Sequence, residues 1–78
     1  MSVRLAANGT IELIGACGSE DAAPLLDYLT ANPEAGVDWR ECEMAHTAVI
    51  QVLWLARRDL HGPPANAFLA RWVEPGLI

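Results

Sequence analysis

The sequence contains no lysine, and its five basic residues are all arginines, set against ten acids. The resulting net charge of −5 argues against a nucleic-acid partner, because binding to a phosphate backbone requires a basic surface. Eight of the acids but only one arginine lie between Glu12 and Glu43. The first half of the chain is therefore acidic and the second half nearly neutral, which bears on what each half could contact.

Long apolar runs are also missing. The longest segment without a charged side chain, Met44 to Ala56, has thirteen residues, whereas a helix that spans a bilayer needs about 20. The first residues show no signal-peptide pattern. The two cysteines, Cys17 and Cys42, are too few for a disulfide framework. We therefore expect a cytoplasmic protein with reduced thiols and no membrane insertion.

The residues needed for catalysis or metal binding are scarce. Seventy-eight residues, 53% of them hydrophobic, predict one folded domain covering residues 1–78. The two serines and two histidines show no spacing typical of a nucleophilic triad. Cys42 and His46 would share one face of a predicted helix, but the paired cysteine spacing of a zinc site is absent. We expect no enzymatic activity, no cofactor and no metal.

The first half of the chain predicts a hairpin followed by a helix. Residues 3–6 and 10–14 alternate partly between apolar and polar, and the Asn8-Gly9 dipeptide between them favours a type I′ turn. Residues 15–18 should then end the second strand. Because Pro24 is tolerated only in a first turn, a helix should begin near Asp21 and end at Asn32. Its predicted buried stripe consists of Ala22, Leu25, Leu26 and Leu29.

The second half predicts a strand and two more helices. Residues 36–39 follow a strand and a helix at the spacing of a βαβ crossover, which predicts a central parallel strand. Residues 43–58 contain no Gly or Pro and predict the second helix. Residues 59–64 predict a turn, after which Asn66 is predicted to cap a short last helix. The predicted fold is α/β, in the order β-β-α-β-α-α, with a mixed sheet of three or four strands.

The second helix has two apolar sides. Its inner side is predicted to pack on the sheet and comprises Ala45, Val49, Val52, Leu53 and Ala56, with Ala48 and Leu55 at the margin. Its outer side carries large apolar residues among polar ones, a mixture typical of interface hot spots. We predict that this side binds a protein partner through His46, Ile50, Gln51, Trp54 and Arg58. The alternative is that Phe68 and Trp72 of the last helix fold back and cover Trp54.

From about residue 3 to residue 58 the sequence resembles the STAS domain, the module of anti-sigma-factor antagonists. The hairpin, the Leu13-Ile14-Gly15 segment, the leucine-rich first helix and Val37-Asp38-Trp39 followed by residues 41–53 carry the resemblance. In that family a strand leads to an Asp-Ser-Ser-Gly-Leu motif whose first serine is phosphorylated. The corresponding residues here are His46, Thr47, Ala48, Val49 and Ile50, so the resemblance implies that Thr47 is the phosphoacceptor.

The resemblance also implies a function and a class of partner. The function would be regulatory protein–protein interaction in a bacterial cytoplasm, with an anti-sigma factor or a similar kinase as the partner. Some STAS subunits instead dock onto the ATPase of a transporter complex, and that role would suit the sequence equally. A third possibility is a homodimeric structural module, so the chain is expected to be a monomer or a weak homodimer.

Overall fold

The computed structural model describes residues 2–77, which form an α/β domain with one mixed four-stranded sheet. The strands are β1 (Val3–Leu5), β2 (Ile11–Cys17), β3 (Val37–Ala45) and β4 (Leu60–His61). Their order in the sheet is β1-β2-β3-β4, in which β1 is antiparallel to β2 and the other neighbours are parallel. The predicted fold class is confirmed, and the short β4 supplies the fourth strand.

Three helices connect or follow these strands. They are α1 (Ala22–Ala31), which a 3₁₀ turn at Ser19–Asp21 precedes, α2 (Thr47–Ala56), and a C-terminal helix made of a π-helical segment (Leu69–Val73) and α3 (Glu74–Leu77). The last helix begins as predicted, since Asn66 Oδ1 accepts a hydrogen bond from the backbone N–H of Leu69 at 3.1 Å. Asn32 ends α1, also as predicted.

The hairpin forms, but with a different turn. A type I′ turn needs a positive φ at both Asn8 and Gly9, and here Asn8 is not among the residues with a positive φ, whereas Gly9 has a φ of 89°. Backbone hydrogen bonds join Gly9 N–H to the Ala6 carbonyl at 2.9 Å and Ala6 N–H to the Thr10 carbonyl at 2.8 Å. The loop is therefore longer than two residues, with its left-handed glycine at the end.

The second strand does not end at Gly15. It continues to Cys17, because Gly15 takes a φ of 68° at a point where the register between β2 and β3 shifts. Glycine adopts this left-handed conformation without a steric penalty, so β2 goes on pairing past the bulge, whose extra residue, Glu43, lies in β3. The prediction that residues 15–18 break the strand was wrong for this reason.

The boundary between β3 and α2 was also predicted incorrectly. Residues 43–45 belong to β3, where Met44 pairs with Ala16 and Ala45 with Cys17. The His46 N–H extends this pairing with a 2.8 Å hydrogen bond to the Cys17 carbonyl. Sheet pairing thus outweighs the helix propensity of this segment, and α2 begins only at Thr47.

The helices cover one face of the sheet. Trp39, Leu13, Leu25, Val49 and eight further residues form the buried core between these layers. The opposite face carries charged and polar side chains in the register row Arg4, Glu12, Asp38 and His61. This alternation is typical of a sheet with one buried and one solvated face.

Two leucines predicted to lie at buried or marginal positions are exposed. Leu25 and Leu29 are buried, but 53% of the surface of Leu26 is accessible. Leu55, predicted at the margin of the buried side of α2, is 83% accessible. Both leucines lie where α1 and α2 run side by side, and together they border a groove between the two helices.

Candidate functional site

The start of α2 lies at the carboxyl end of β3, next to the end of β2. His46 precedes the helix and caps it, since its Nδ1 accepts a hydrogen bond from the Ala48 N–H at 3.0 Å. An open hollow of about 350 Å³ is located here, with Gly18, Glu20, Met44 and Thr47 among its lining residues. In open α/β sheets, ligands commonly bind at the carboxyl ends of the strands.

Thr47, the predicted phosphoacceptor, is the first residue of α2 and is exposed. Within residues 2–77 its hydroxyl takes part in no hydrogen bond. The amino end of a helix favours a negative charge, which would suit a phosphate on Thr47. Glu20 lines the same hollow, however, and its carboxylate would face that phosphate.

The outer side of α2 carries the predicted partner-binding residues in unequal environments. Gln51 is exposed, and Trp54 is 58% accessible. Ile50 is half-buried because it packs against the core. Ile50 and Trp54 line a groove of about 230 Å³ with Val73, Gly76 and Leu77 of the C-terminal helix. We call these five residues the tryptophan groove.

The alternative in which Phe68 and Trp72 cover Trp54 is wrong. Phe68 is 63% and Trp72 66% accessible, and the guanidinium of Arg71 lies 5.2 Å from the centre of the Trp72 ring. The C-terminal helix reaches Trp54 through Gly76 and Leu77 instead. It borders the indole ring of Trp54 without burying it.

Arg58, predicted to bind a protein partner, contacts α1 and the loop after it instead. Its guanidinium donates hydrogen bonds to three backbone carbonyls, those of Leu29 at 2.8 Å, Asn32 at 2.9 Å and Ala35 at 3.0 Å. These carbonyls belong to the end of α1 and the loop that follows it, where α1 itself carries no basic residue. Arg58 therefore caps α1 and holds it against the end of α2.

The neighbouring Arg57 is the basic residue beside Trp54. Arg57 is exposed and ends α2 in the left-handed conformation, with a φ of 50°. It lines a hollow of about 590 Å³ with Trp54, Asp59 and His61, and the half-buried Arg58 also borders this hollow. The outer surface as the structure has it thus comprises His46, Thr47, Gln51, Trp54 and Arg57, with Ile50 at the base of the groove.

Two free cysteines are buried next to each other in the core. Cys17 is 1% and Cys42 0% accessible, and both thiols are free. The neighbouring Cys42 thiol and burial in the core raise the pKa of the Cys17 thiol. Because Cys42 lies in β3 rather than in a helix, the helical spacing between Cys42 and His46 does not exist. In the described residues, 2–77, no three His, Cys, Asp or Glu side chains cluster in a way that could hold a metal ion.

Two ion pairs lie on the solvated face of the sheet, opposite the helices. Arg4 pairs with Glu12, and Arg40 pairs with Asp38, whose Oδ2 lies 2.7 Å from Arg40 Nη2. The hydrogen bond from Arg40 holds the pKa of Asp38 below its usual value. Both arginines are largely exposed, so these pairs are screened by solvent and contribute little stability.

Comparison with known proteins gives no family. No protein-family model matches the chain, and no curated protein and no solved structure is detectably similar to it. None of the helices in residues 2–77 has the length and apolar character needed to cross a bilayer. The function of the chain must therefore be inferred from the geometry of the molecule itself.

Proposed function

We propose that this chain is a non-enzymatic, cytoplasmic protein–protein interaction module that docks through the outer side of α2. The observation that carries the proposal is the exposure of Trp54, 58% accessible at the edge of the tryptophan groove. A partner side chain placed in the groove would cover the indole ring and Ile50 together. Tryptophan and arginine are enriched at interface hot spots, and Trp54 and Arg57 border the same hollow.

A STAS-like role is the form of this function that we favour. The hairpin, the alternation of parallel strands with α1 and α2, and the position of Thr47 at the start of α2, separated from β3 by one residue, support it. On this proposal an anti-sigma factor or a similar bacterial kinase contacts the start of α2, and phosphorylation of Thr47 regulates the contact. A transporter ATPase is the alternative partner, since a docking subunit would use the same surface.

Comparing two tryptophan variants tests the docking surface. Trp54→Ala should weaken binding of the partner by about 2 kcal/mol or more, because an aromatic anchor loses its burial in the interface. Trp72→Ala is the matched control, since Trp72 is similarly exposed, at 66%, but does not line the tryptophan groove. Both tagged variants and the wild type would serve as baits in native cells, followed by calorimetry with the protein captured.

The proteins captured by the three baits either support or contradict the proposed surface. Loss of one captured protein with Trp54→Ala alone supports the proposed surface, and its identity distinguishes a kinase from a transporter ATPase. Equal capture by all three baits contradicts it. Both variants should also unfold at the wild-type denaturant concentration, and a loss of several kcal/mol in Trp54→Ala would show that Trp54 stabilises the fold instead.

The regulatory part of the proposal rests on Thr47. Thr47→Glu should fold normally and bind the partner at least about tenfold more weakly, a difference of about 1.4 kcal/mol, because the added charge would be desolvated in the interface. Thr47→Val removes the hydroxyl without adding charge and should bind normally. Mass spectrometry of the chain from its own cells would detect the phosphate. Absence of phosphate in all growth conditions, with unchanged binding of both variants, would leave a docking module without this switch.

A further inference from the structure

One wall of the tryptophan groove is weakly held to the rest of the fold. This wall includes α3, which supplies Gly76 and Leu77 to the groove and contains no buried residue. Within residues 2–77, a single side-chain hydrogen bond joins α3 to the sheet, from Nε1 of Trp39 to Oε2 of Glu74 at 3.3 Å. Hydrogen bonds of this kind are usually about 2.7–3.2 Å long, so this contact is a weak one.

The local sequence also gives α3 little stability of its own. Pro75 and Gly76 are the two residue types least suited to the interior of a helix. Pro75 has no N–H to donate, and the N–H of the preceding Glu74 bonds to the Leu69 carbonyl, five residues earlier instead of four. Such wide π-helical turns are rare and are frequently found at functional sites. Because segments with few buried apolar contacts open at a lower free energy than the whole domain, we expect α3 to detach more readily than α2.

The Glu74 carboxylate has room beside Trp39 because position 62 is a glycine. A Cβ at Gly62 would overlap the carboxylate of Glu74 and lie 3.0 Å from Nε1 of Trp39. Trp39 is fully buried, so its indole N–H is shielded from water while α3 is in place. Glu74 supplies the acceptor that this buried donor requires and thereby links α3 to the core.

We propose that α3 is a hinged cover over the docking surface, closed while Glu74 accepts the hydrogen bond from Trp39 and open when that bond breaks. The proposal rests on the docking function proposed for Trp54 and describes how access to that surface is regulated. The π-helical segment is the hinge, because its first residue, Leu69, is buried and remains in the core, whereas no residue of α3 is buried.

The closed cover occupies part of the surface that a partner needs. Leu77 packs against the core and lines the groove together with Ile50 and Trp54, which leaves a space of about 230 Å³. Opening removes Gly76 and Leu77 from the groove and makes more of Ile50 and Trp54 accessible. A partner that covers these two side chains therefore binds the open form more tightly and shifts the population toward it.

Hydrogen exchange followed by NMR tests the opening without any partner. The indole N–H of Trp39 and the backbone N–H of Glu74 should exchange together, with at least about tenfold less protection than the backbone N–H of Leu53 in α2. Glu74→Ala should speed the exchange of Trp39 at least about tenfold further and leave Leu53 unchanged. Glu34→Ala is the matched control, since it removes an exposed carboxylate in the loop before β3 and should change neither.

Two further variants separate the hydrogen bond from the charge. Gly62→Ala keeps the Glu74 carboxylate but displaces it from Trp39, so it should open α3 as Glu74→Ala does. Glu74→Gln removes the charge but keeps an acceptor oxygen, so the exchange of Trp39 should lie between that of the wild type and that of Glu74→Ala. The circular dichroism spectrum of each variant should match that of the wild type.

The apolar dye anilinonaphthalene sulfonate tests whether opening uncovers the docking surface. Glu74→Ala should bind the dye at least about threefold more tightly than the wild type, because a larger fraction of the chain is open. Adding Trp54→Ala should abolish this gain. Glu74→Ala should also bind more tightly to the protein that the wild type captures and Trp54→Ala does not.

Two results would overturn the proposal. In the first, the indole N–H of Trp39 is as protected as the backbone N–H of Leu53, so α3 stays closed until the domain unfolds. In the second, α3 opens but the gain in dye affinity is absent or survives Trp54→Ala. Neither result bears on the docking function, which capture with Trp54→Ala tests separately. Equal capture by all baits would contradict the docking function, whereas the exchange of Trp39 would still show whether α3 opens.

Discussion

Replacing Arg58 with methionine should strongly destabilise the fold. Methionine keeps an unbranched apolar side chain but removes the guanidinium, which donates hydrogen bonds to the carbonyls of Leu29, Asn32 and Ala35 at 2.8 to 3.0 Å. A hydrogen bond to a charged group contributes about 1.5–3 kcal/mol. Arg58 is half-buried, so water can replace part of what is lost.

The expected loss is therefore about 2–4 kcal/mol of unfolding free energy, less than the sum for three such bonds. A domain of 78 residues has a total stability of about 4–12 kcal/mol, so the change would be a large fraction of the whole. For a domain of this size the melting temperature should fall by about 10 °C or more. Urea unfolding followed by circular dichroism measures the free energy directly.

Arg57→Asn is the matched control for this experiment. Arg57 is adjacent, exposed and equally charged, and asparagine tolerates its positive φ. The control should change the unfolding free energy by less than about 0.5 kcal/mol. If Arg58→Met and Arg57→Asn lose the same small amount, the hydrogen bonds from Arg58 do not hold α1 and α2 together. Arg58→Lys should fall between them, because one ammonium group cannot reach all three carbonyls.

Three further predictions concern the core and the open face of the sheet. Val49→Asp should abolish cooperative unfolding, because it would bury an unpaired charge at a fully inaccessible position. Cys17 and Cys42 should resist a thiol reagent in native protein and both react in denaturant; rapid labelling of the native chain would show that the core opens easily. The hydrogen bond from Arg40 lowers the pKa of Asp38 in the folded protein. The ionised Asp38 therefore contributes under about 1 kcal/mol to the free energy of unfolding above pH 5, and this contribution is lost as the pH falls through the folded pKa. Asp38→Asn should therefore flatten the loss of stability below about pH 5, and an unchanged acid profile would contradict this.

The helices and strands that were predicted correctly are specified by residues close to them in the sequence. Asn66 and the Asn32-Pro33 pair act on backbone groups within a few residues, and their roles as helix boundaries are seen in the structure. The hairpin follows from the glycine at position 9, although the exact turn depends on the φ of Asn8. The α/β class follows from the alternation of strand and helix patterns.

The incorrect predictions concern residues whose structure depends on contacts with distant parts of the chain. Residues 43–45 have helix-forming side chains, but their backbone pairs with β2, some 28 residues earlier in the chain. Arg58 contacts carbonyls 23 to 29 residues away, and no local pattern marks it as a helix cap. The accessibility of Leu55 depends on how closely α1 approaches α2. Periodicity alone could place Leu55 at the margin of the buried side but could not determine whether that margin would be covered.

The composition of α2 bears on the proposed docking surface. Its ten residues, Thr47–Ala56, contain no charge and only two polar side chains, Thr47 and Gln51. A helix on the surface of a soluble domain normally carries a broad polar face, and a helix that is apolar nearly all round is normally buried. The sheet covers only the side of Val49 and Leu53, which leaves Trp54 exposed on one flank and Leu55 on the other. A helix of this composition in an exposed layer is explained if other surfaces cover both flanks. A partner docked over Trp54 would cover one of these two flanks and bring α2 closer to the burial that its composition predicts.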